Sequence, residues 1–201
     1  MSEIRVGFDV DDVLYETARQ SVGYFNEVFG LNLTLEDMYR RPTVESNGSD
    51  DLNVLLQRVN RFIIERGLEL PVMEDAVKIT QALADKGMQL YAITGRSPET
   101  EDVTRQALTR DFGDIFKNVM FTSHLDEERR TSKGDICREL DLTAFIEDLP
   151  AHVRDILGKS GTTTALLFGD YPWNSLTEDS DIIRCPTWAD VEREVDQVAS
   201  R

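Results

Sequence analysis

Short apolar runs alternate with amphipathic segments over much of this chain, and this alternation is what most limits its fold. The apolar runs predict strands at residues 4–8, 88–94, 118–122, 144–147, 163–168 and 182–184. Helical patterns near residues 98–112, 132–140, 151–159 and 188–199 follow the later strands. Strands that alternate with helices form right-handed crossovers, so we expect an α/β protein with a mostly parallel, Rossmann-like sheet sandwiched by helices.

The interval between the first two predicted strands contains helical patterns only. Apolar positions recur every three or four residues in the segments near 14–29, 50–66 and 74–86, and Gly30, Gly67 and Gly87 follow as stop signals. We therefore predict two units. Residues 1–13 and 88–201 form the core, and residues 14–87 form a small helical cap inserted after strand 1.

Two carboxylates leave the end of the first strand together. The strand runs straight into Asp9-Val10-Asp11-Asp12. Because strand side chains repeat every two residues, Asp9 and Asp11 share a face, with Cα atoms roughly 6 to 7 Å apart. Such a pair is costly unless a cation, a shared proton or a reaction compensates the repulsion, and Mg²⁺ is a natural compensator. The alternative is that these acidic residues cap the next helix, where Asp is favoured.

Polar groups also follow three later strands, at the edge of the sheet where α/β proteins bind their ligands. They are Thr94-Gly95-Arg96, Ser132-Lys133 and Glu147-Asp148. The first group offers a hydroxyl, a close backbone N–H and a guanidinium at the start of a helix, where anions are favoured. Each group also has a plainer explanation. Thr94-Gly95-Arg96 could be an ordinary turn, and Lys133 could be a solvated surface charge. Glu147 and Asp148 could simply stabilise the N-terminus of the next helix.

The composition is strongly acidic. The chain has 22 basic and 38 acidic residues among 201, a formal net charge of −16. This balance argues against a nucleic-acid polymer or an anionic membrane as partner, because both require clustered basic residues. A small phosphorylated substrate remains compatible, since salt screens the unfavourable field beyond about 8 Å and a bound metal reverses it locally.

The cysteines and the apolar runs bear on the cellular compartment. Cys137 and Cys185 are too few for a disulfide framework, and we expect both to be buried, reduced thiols. No signal peptide precedes the first strand, and no apolar run approaches the roughly 20 residues needed to span a bilayer. We therefore expect a cytoplasmic protein.

The ordered set of polar groups at the strand ends resembles the four motifs of the haloacid dehalogenase superfamily of phosphotransferases, from residue 4 to about residue 174. The resemblance implies that Asp9 is the nucleophile that becomes an aspartyl phosphate. It implies that Asp11 is the general acid that protonates the leaving oxygen and later activates water. Thr94, Gly95 and Lys133 would hold the transferring phosphoryl group. Positioning and charge neutralisation of this kind are what phosphoryl transfer requires.

The resemblance also implies a magnesium cofactor. The ligands would be the side chains of Asp9 and Asp148 and the backbone carbonyl of Asp11. Whether Glu147 assists as a ligand stays open at this point.

Within the superfamily, the helical cap and the segment at 166–174, Leu-Leu-Phe-Gly-Asp-Tyr-Pro-Trp-Asn, resemble the cytosolic 5'(3')-deoxyribonucleotidase family. This implies a nucleoside monophosphate as substrate. Two departures concern specificity: Thr94-Gly95-Arg96-Ser97 replaces a motif that ends in Ser-Pro, and Glu147-Asp148-Leu149 lacks the Arg that follows the acidic pair in the family. Arg96 is the candidate replacement for that missing guanidinium.

Aromatic residues in the cap are the candidates for contacts to a base. Tyr15 is the preferred one, because it follows the catalytic loop directly. The others are Tyr24, Phe25, Phe29, Tyr39 and Phe62. Their helical spacing favours core packing over a binding role.

Other functions remain compatible with the sequence. One alternative substrate class is another small metabolite such as a sugar phosphate. A non-enzymatic alternative is a phospho-accepting signalling receiver, which also gathers acidic residues, a Thr and a Lys at strand ends, or a scaffold with an acidic surface. The intact set of candidate catalytic residues and the cap favour the enzyme.

Overall fold

The computed structural model describes residues 3–37, 52–123, 131–175 and 181–200. Its centre is a sheet of six strands, β1 (Arg5–Phe8), β2 (Gln89–Thr94), β3 (Phe116–Phe121), β4 (Ala144–Glu147), β5 (Thr164–Phe168) and β6 (Ile183–Cys185). The strand order is β3-β2-β1-β4-β5-β6, and every adjacent pair is parallel. The predicted parallel α/β architecture is thus confirmed.

Helices cover both faces of the sheet, as the alternation predicts. One face packs against α5 (Lys133–Glu139) and α6 (Pro150–Ser160). The other face packs against α3 (Ala76–Asp85), α4 (Glu101–Phe112) and α7 (Trp188–Ala199). Strand side chains alternate between the two layers. In β4, Phe145 packs on the face covered by α5 and α6, and Ile146 packs on the face covered by α3, α4 and α7.

The helical interval after β1 contains α1 (Thr17–Phe29) and α2 (Leu52–Arg66), with short 3-10 turns at Leu35–Asp37 and Gly67–Glu69. The two helices pack through an aromatic cluster formed by Tyr24, Phe25, Phe29 and Phe62. The rings of Tyr24, Phe25 and Phe62 are buried, and Phe29 is half-buried beside them. Tyr39 lies outside the described residues. Helix α3 instead packs on β2 and α7, so we propose that the cap ends before Ala76.

Local sequence signals account for several helix ends. Gly30 ends α1 in a left-handed conformation that favours glycine. Thr187 caps α7 in a reciprocal capping box with Asp190. Strand β3 begins two residues before its predicted start, because the exposed Lys117 and Asn118 at this sheet edge hide the strand pattern.

Two further observations concern the cysteines and the membrane. Cys137 and Cys185 are free and buried, as predicted. Within residues 3–37, 52–123, 131–175 and 181–200, no helix combines the length and the apolar character needed to cross a membrane.

Candidate active site

The carboxyl ends of β1, β2 and β4 and the start of α5 bring most of the predicted site residues together. Lys133 contacts Asp9, and Thr94 contacts Asp11. Asp148 offers a carboxylate oxygen within 4.8 Å of one from Asp9. Side chains separated by up to 139 positions in sequence thus meet at one edge of the sheet.

Asp9 is held rigidly at the end of β1. Its backbone N–H donates to the carbonyl of Ile146 at 2.9 Å, which extends the pairing of β1 with β4. Its carboxylate Oδ1 accepts from the backbone N–H of Val10 at 2.8 Å and lies 2.8 Å from Lys133 Nζ. Burial, opposed by Lys133 and reinforced by Glu147 and Asp11, raises the pKa of Asp9 to about 7.

Lys133 lies at the first position of α5, which Ser132 caps. Its side chain is only 3% exposed, and its ammonium lies 2.8 Å from Asp9 and 2.7 Å from Glu147. Burial alone would lower the pKa of Lys133, but the two carboxylates raise it above its ordinary value. The buried lysine is therefore charged and is not a solvated surface group.

The two acidic residues after β4, Glu147 and Asp148, lie in different environments. Both oxygens of Glu147 have partners, because Oε2 contacts Lys133 and Oε1 accepts from the backbone N–H of Leu149 at 3.0 Å. His152 Nδ1 lies 3.4 Å from Glu147. Burial alone would raise the pKa of Glu147, but Lys133 and His152 hold it well below its ordinary range. Glu147 is thus an ionised partner that fixes the lysine.

Asp148 is 1% exposed, and no cationic side chain among the described residues pairs with it as Lys133 pairs with Glu147. Its Oδ2 accepts a hydrogen bond from the indole N–H of Trp173 at 2.8 Å. Burial, and then Glu147, raise the pKa of Asp148 well above its ordinary value. Burial and Glu147 thus favour the neutral form of the Asp148 carboxyl group, and a cation would favour the ionised form.

These residues fit a divalent cation. Oxygens of Asp9, Glu147 and Asp148 lie within 4.8 Å of one another, and the donor set is made of oxygen alone, which Mg²⁺ prefers. Binding requires ionised carboxylates, so the raised pKa values of Asp9 and Asp148 mean that a cation would displace protons. The Asp11 carboxylate is outside this cluster, and the family resemblance assigns only its backbone carbonyl to the metal.

Asp11 is paired with Arg96. The guanidinium Nη2 and Nε lie 2.8 and 3.1 Å from Asp11 Oδ1, and Nη1 donates to Thr104 at 2.9 Å. Burial alone would raise the pKa of Asp11, but Arg96 lowers it below the ordinary value. Arg96 is 5% exposed and turned inward. Its guanidinium faces Asp11, the predicted general acid, and a contact of Arg96 with the substrate stays a prediction.

Thr94 ends β2 with its side chain fully buried. Its hydroxyl accepts from the backbone N–H of Arg96 at 3.2 Å and lies 3.4 Å from Asp11 Oδ2. Gly95 follows it at the same edge, half-buried. Their contact with a phosphoryl group stays a prediction.

Tyr15 is a core residue. Its ring is 1% exposed and packs edge-on against Phe112, and its hydroxyl donates to Asp111 at 3.0 Å. A ring enclosed in this way offers no face for a base. The prediction that Tyr15 lines the substrate pocket is therefore corrected. After Val13 the chain turns into the core, where both Leu14 and Tyr15 are buried.

Three residues that sequence reasoning did not assign also contribute to the site. Asp12, with a φ of 56°, accepts from the backbone N–H of Ala18 through both carboxylate oxygens, at 3.0 and 3.2 Å. The capping role that was the alternative for the whole acidic string thus belongs to Asp12. The other two are Tyr171 and Trp173. In the sequence, only the family resemblance of the segment that contains them indicates a role in the site.

A cavity of about 830 Å³ opens beside Asp12, and none of Asp9, Asp11, Thr94, Lys133 and Asp148 lines it. Its wall includes Tyr171 and Trp173 after β5, and Glu16 and Arg19 at the start of α1. This volume is within the range of sites that bind small molecules.

The sheet order and the flanking helices are those of the haloacid dehalogenase-like hydrolase fold. A "predicted phosphatase" from Clostridium acetobutylicum superimposes with a TM-score of 0.72, with 15% identity over 98% of this chain and 100% of the other. A haloacid dehalogenase-like family hydrolase from Streptococcus pneumoniae superimposes with a TM-score of 0.66, with 13% identity over 96% and 98% of the two chains.

In sequence, the chain is 24% identical over 165 residues to a Bacillus cereus protein named "Putative nucleotidase". The match spans 78% of this chain and 82% of that protein. No family model matches the sequence.

Proposed function

We propose that this protein is a Mg²⁺-dependent phosphomonoester hydrolase that acts through an aspartyl phosphate on Asp9. The observation that carries the proposal is the buried Asp9 carboxylate, with Lys133 at 2.8 Å and the Asp148 carboxylate within 4.8 Å. One carboxylate oxygen is held by a cationic donor, and the cluster has the composition of a magnesium site. The motif resemblance and the fold support the same chemistry.

The residues divide the reaction into two displacements. An Asp9 oxygen attacks phosphorus, and the bond from phosphorus to the leaving oxygen breaks. Because Arg96 lowers the pKa of Asp11, Asp11 has to take up a proton in the substrate complex before it donates one to that oxygen. Asp11 then takes a proton from water, which attacks phosphorus and releases phosphate from Asp9. Lys133 and Thr94 hold the phosphoryl oxygens. When bound, Mg²⁺ neutralises the charge on those oxygens.

For the substrate, we propose a nucleoside monophosphate, with another small phosphate ester such as a sugar phosphate as the alternative. The Bacillus cereus relative and the resemblance of residues 166–174 support the nucleotide. A contact between the proposed cap and the loop after β2 supports a role of the cap in this choice, because Ser97 donates to Asn60 of α2 at 2.7 Å.

A phosphate-release screen with Mg²⁺ tests this substrate class. It should compare nucleoside monophosphates, sugar phosphates and an aryl phosphate. Faster hydrolysis of a nucleotide supports the proposal, and faster hydrolysis of sugar phosphates replaces the nucleotide with the alternative. If no ester is hydrolysed, the enzyme proposal itself fails.

We expect activity to require Mg²⁺ and to depend unequally on the acidic pair. A chelator should abolish turnover, and added Mg²⁺ should restore it. Asp148→Asn should weaken metal binding by more than Glu147→Gln, because both oxygens of Glu147 already have protein partners. Metal titration of both variants by calorimetry measures the difference. Equal losses would mean that Glu147 is also a ligand, and full activity in excess chelator would exclude the metal.

We expect Arg96→Lys to affect the substrates with poor leaving groups most. A lysine lacks the two-point contact with a carboxylate that arginine makes, so Asp11 would lose its orientation. General acid catalysis contributes about 10²- to 10⁴-fold, and a large share of this should be lost on an alkyl phosphate but little on an activated aryl phosphate. Rates on the two esters measure this.

The matched control for this substitution is Arg105→Lys. Arg105 pairs with Glu101 on the exposed side of α4, so both rates should stay near those of the wild type. Parallel losses on both esters in Arg96→Lys would instead indicate that Arg96 contacts the phosphoryl group.

A further inference from the structure

The segment after β5 is attached to both acidic loops of the site. The Tyr171 hydroxyl donates to the backbone carbonyl of Asp12 at 2.7 Å, and the Trp173 indole N–H donates to Asp148 Oδ2 at 2.8 Å. Asn174 Nδ2 donates to the backbone carbonyl of Asp148 at 3.0 Å and to that of Phe168 at 2.9 Å. These hydrogen bonds connect the loop after β1, the loop after β4 and the end of β5.

The two rings of this segment also fix each other. Tyr171 and Trp173 stack with centroids 4.5 Å apart and planes 6° from parallel. Gly169 makes room for this arrangement, because a Cβ there would collide with the Tyr171 ring, and its φ of 79° favours glycine. The Tyr171 backbone N–H donates to Asn174 Oδ1 at 3.0 Å, which closes the turn. The indole therefore reaches Asp148 from a rigid support.

We propose that Trp173 is a positioning residue for the metal, which it serves by fixing the orientation of the Asp148 carboxylate. Its N–H donates to Oδ2, and a carboxylate oxygen of Asp148 lies within 4.8 Å of one from Asp9. Partners that orient a metal ligand in this way typically contribute 10- to 100-fold to metal affinity. This inference rests on the proposed function, because it requires that the acidic cluster binds Mg²⁺.

The chain offers a matched control, since it contains two tryptophans. Trp188 is also buried, and it stacks on Phe8 with centroids 5.8 Å apart. Its indole nitrogen donates to no residue in the described part of the chain. The same Trp→Phe change therefore removes a hydrogen bond to a metal ligand at position 173 and removes none at position 188.

The experiment is calorimetric titration of the metal-free full chain with Mg²⁺ alone, without substrate. We expect Trp173→Phe to raise the Kd for Mg²⁺ about 10-fold or more, and Trp188→Phe to leave it unchanged. Near-ultraviolet circular dichroism checks that each variant is folded. If Trp173→Phe does not fold, Trp173→Tyr replaces it, because it keeps a stacked ring without the indole N–H.

Two results would overturn the inference. An unchanged Kd in Trp173→Phe would show that the indole hydrogen bond does not orient the ligand, and an equal rise in both variants would reflect general loosening. Wild-type protein that binds no Mg²⁺ would overturn the metal site of the proposed function as well. That result is distinguishable, because it is read from the wild type alone.

Discussion

Asp9→Asn should abolish turnover of every phosphate ester that the wild type hydrolyses. The amide cannot attack phosphorus as a carboxylate does, and both oxygens of Glu147, the other carboxylate that Lys133 contacts, already have protein partners. Removal of an enzyme nucleophile costs on the order of 10⁶-fold in kcat in a well-studied protease. Steady-state phosphate release with the best substrate of the screen measures the loss.

The control for this change is Asp114→Asn, an exposed carboxylate that follows α4. Its activity should stay near that of the wild type, and both variants should melt cooperatively. Residual activity of Asp9→Asn within about 10²-fold of the wild type, the scale of a single acid–base contribution, would contradict a nucleophilic role.

Lys133→Met should strongly destabilise the protein in metal-free buffer. The substitution keeps an unbranched side chain but leaves Asp9 and Glu147 buried without their shared cation. Breaking a buried ion pair by removal of one partner costs about 3–5 kcal/mol. The free energy of unfolding from urea titrations at neutral pH should fall by that amount, and turnover should be lost. Added Mg²⁺ should restore part of the stability, because it binds the folded state.

Lys159→Met is the matched control. Lys159 makes ion pairs with Asp135 and Asp155 at the surface, where such pairs contribute about 0–1 kcal/mol. An unfolding free energy of Lys133→Met equal to that of Lys159→Met would show that Lys133 does not neutralise the cluster. The electrostatic account of the site would then be wrong.

The positions of the buried strands can be predicted from the sequence, for a physical reason. Strands buried on both faces must be continuous apolar runs, so β1, β4 and β5 were predicted close to their observed bounds. The edge strand β3 exposes Lys117 and Asn118, and its start was misplaced. Helix α3 was predicted as a helix, but its packing on the sheet depends on tertiary contacts that periodicity does not encode.

Within the site, the sequence indicates which residues lie at the same edge of the sheet. It does not indicate which charged side chains pair with each other. The ends of β1 and β4 place Asp9 and Asp148 at one edge of the parallel sheet, and the start of α5 brings Lys133 to the same edge. The pairing of Glu147 with Lys133, and of Arg96 with Asp11, depends on side-chain orientation. The position of a guanidinium after β2 therefore does not show which group it faces, and in the structure Arg96 faces Asp11.

The same limit applies to the aromatic residues. Tyr15 follows the catalytic loop in sequence, yet the chain turns its ring into the core beside Phe112. The segment containing Trp173 carried a family resemblance in sequence. Its hydrogen bond to Asp148 is visible only in three dimensions, because the two positions are 25 residues apart.

The central claim is that Asp9 carries the phosphoryl group, and trapping the covalent intermediate tests it most directly. The enzyme should be quenched during turnover of its best substrate and reduced with borohydride, which converts an aspartyl phosphate to homoserine. Peptide mass spectrometry should then find homoserine at position 9 in the wild type and not in Asp9→Asn. Homoserine at position 11 or 148, or unmodified Asp9 in an actively turning-over sample, would contradict the account.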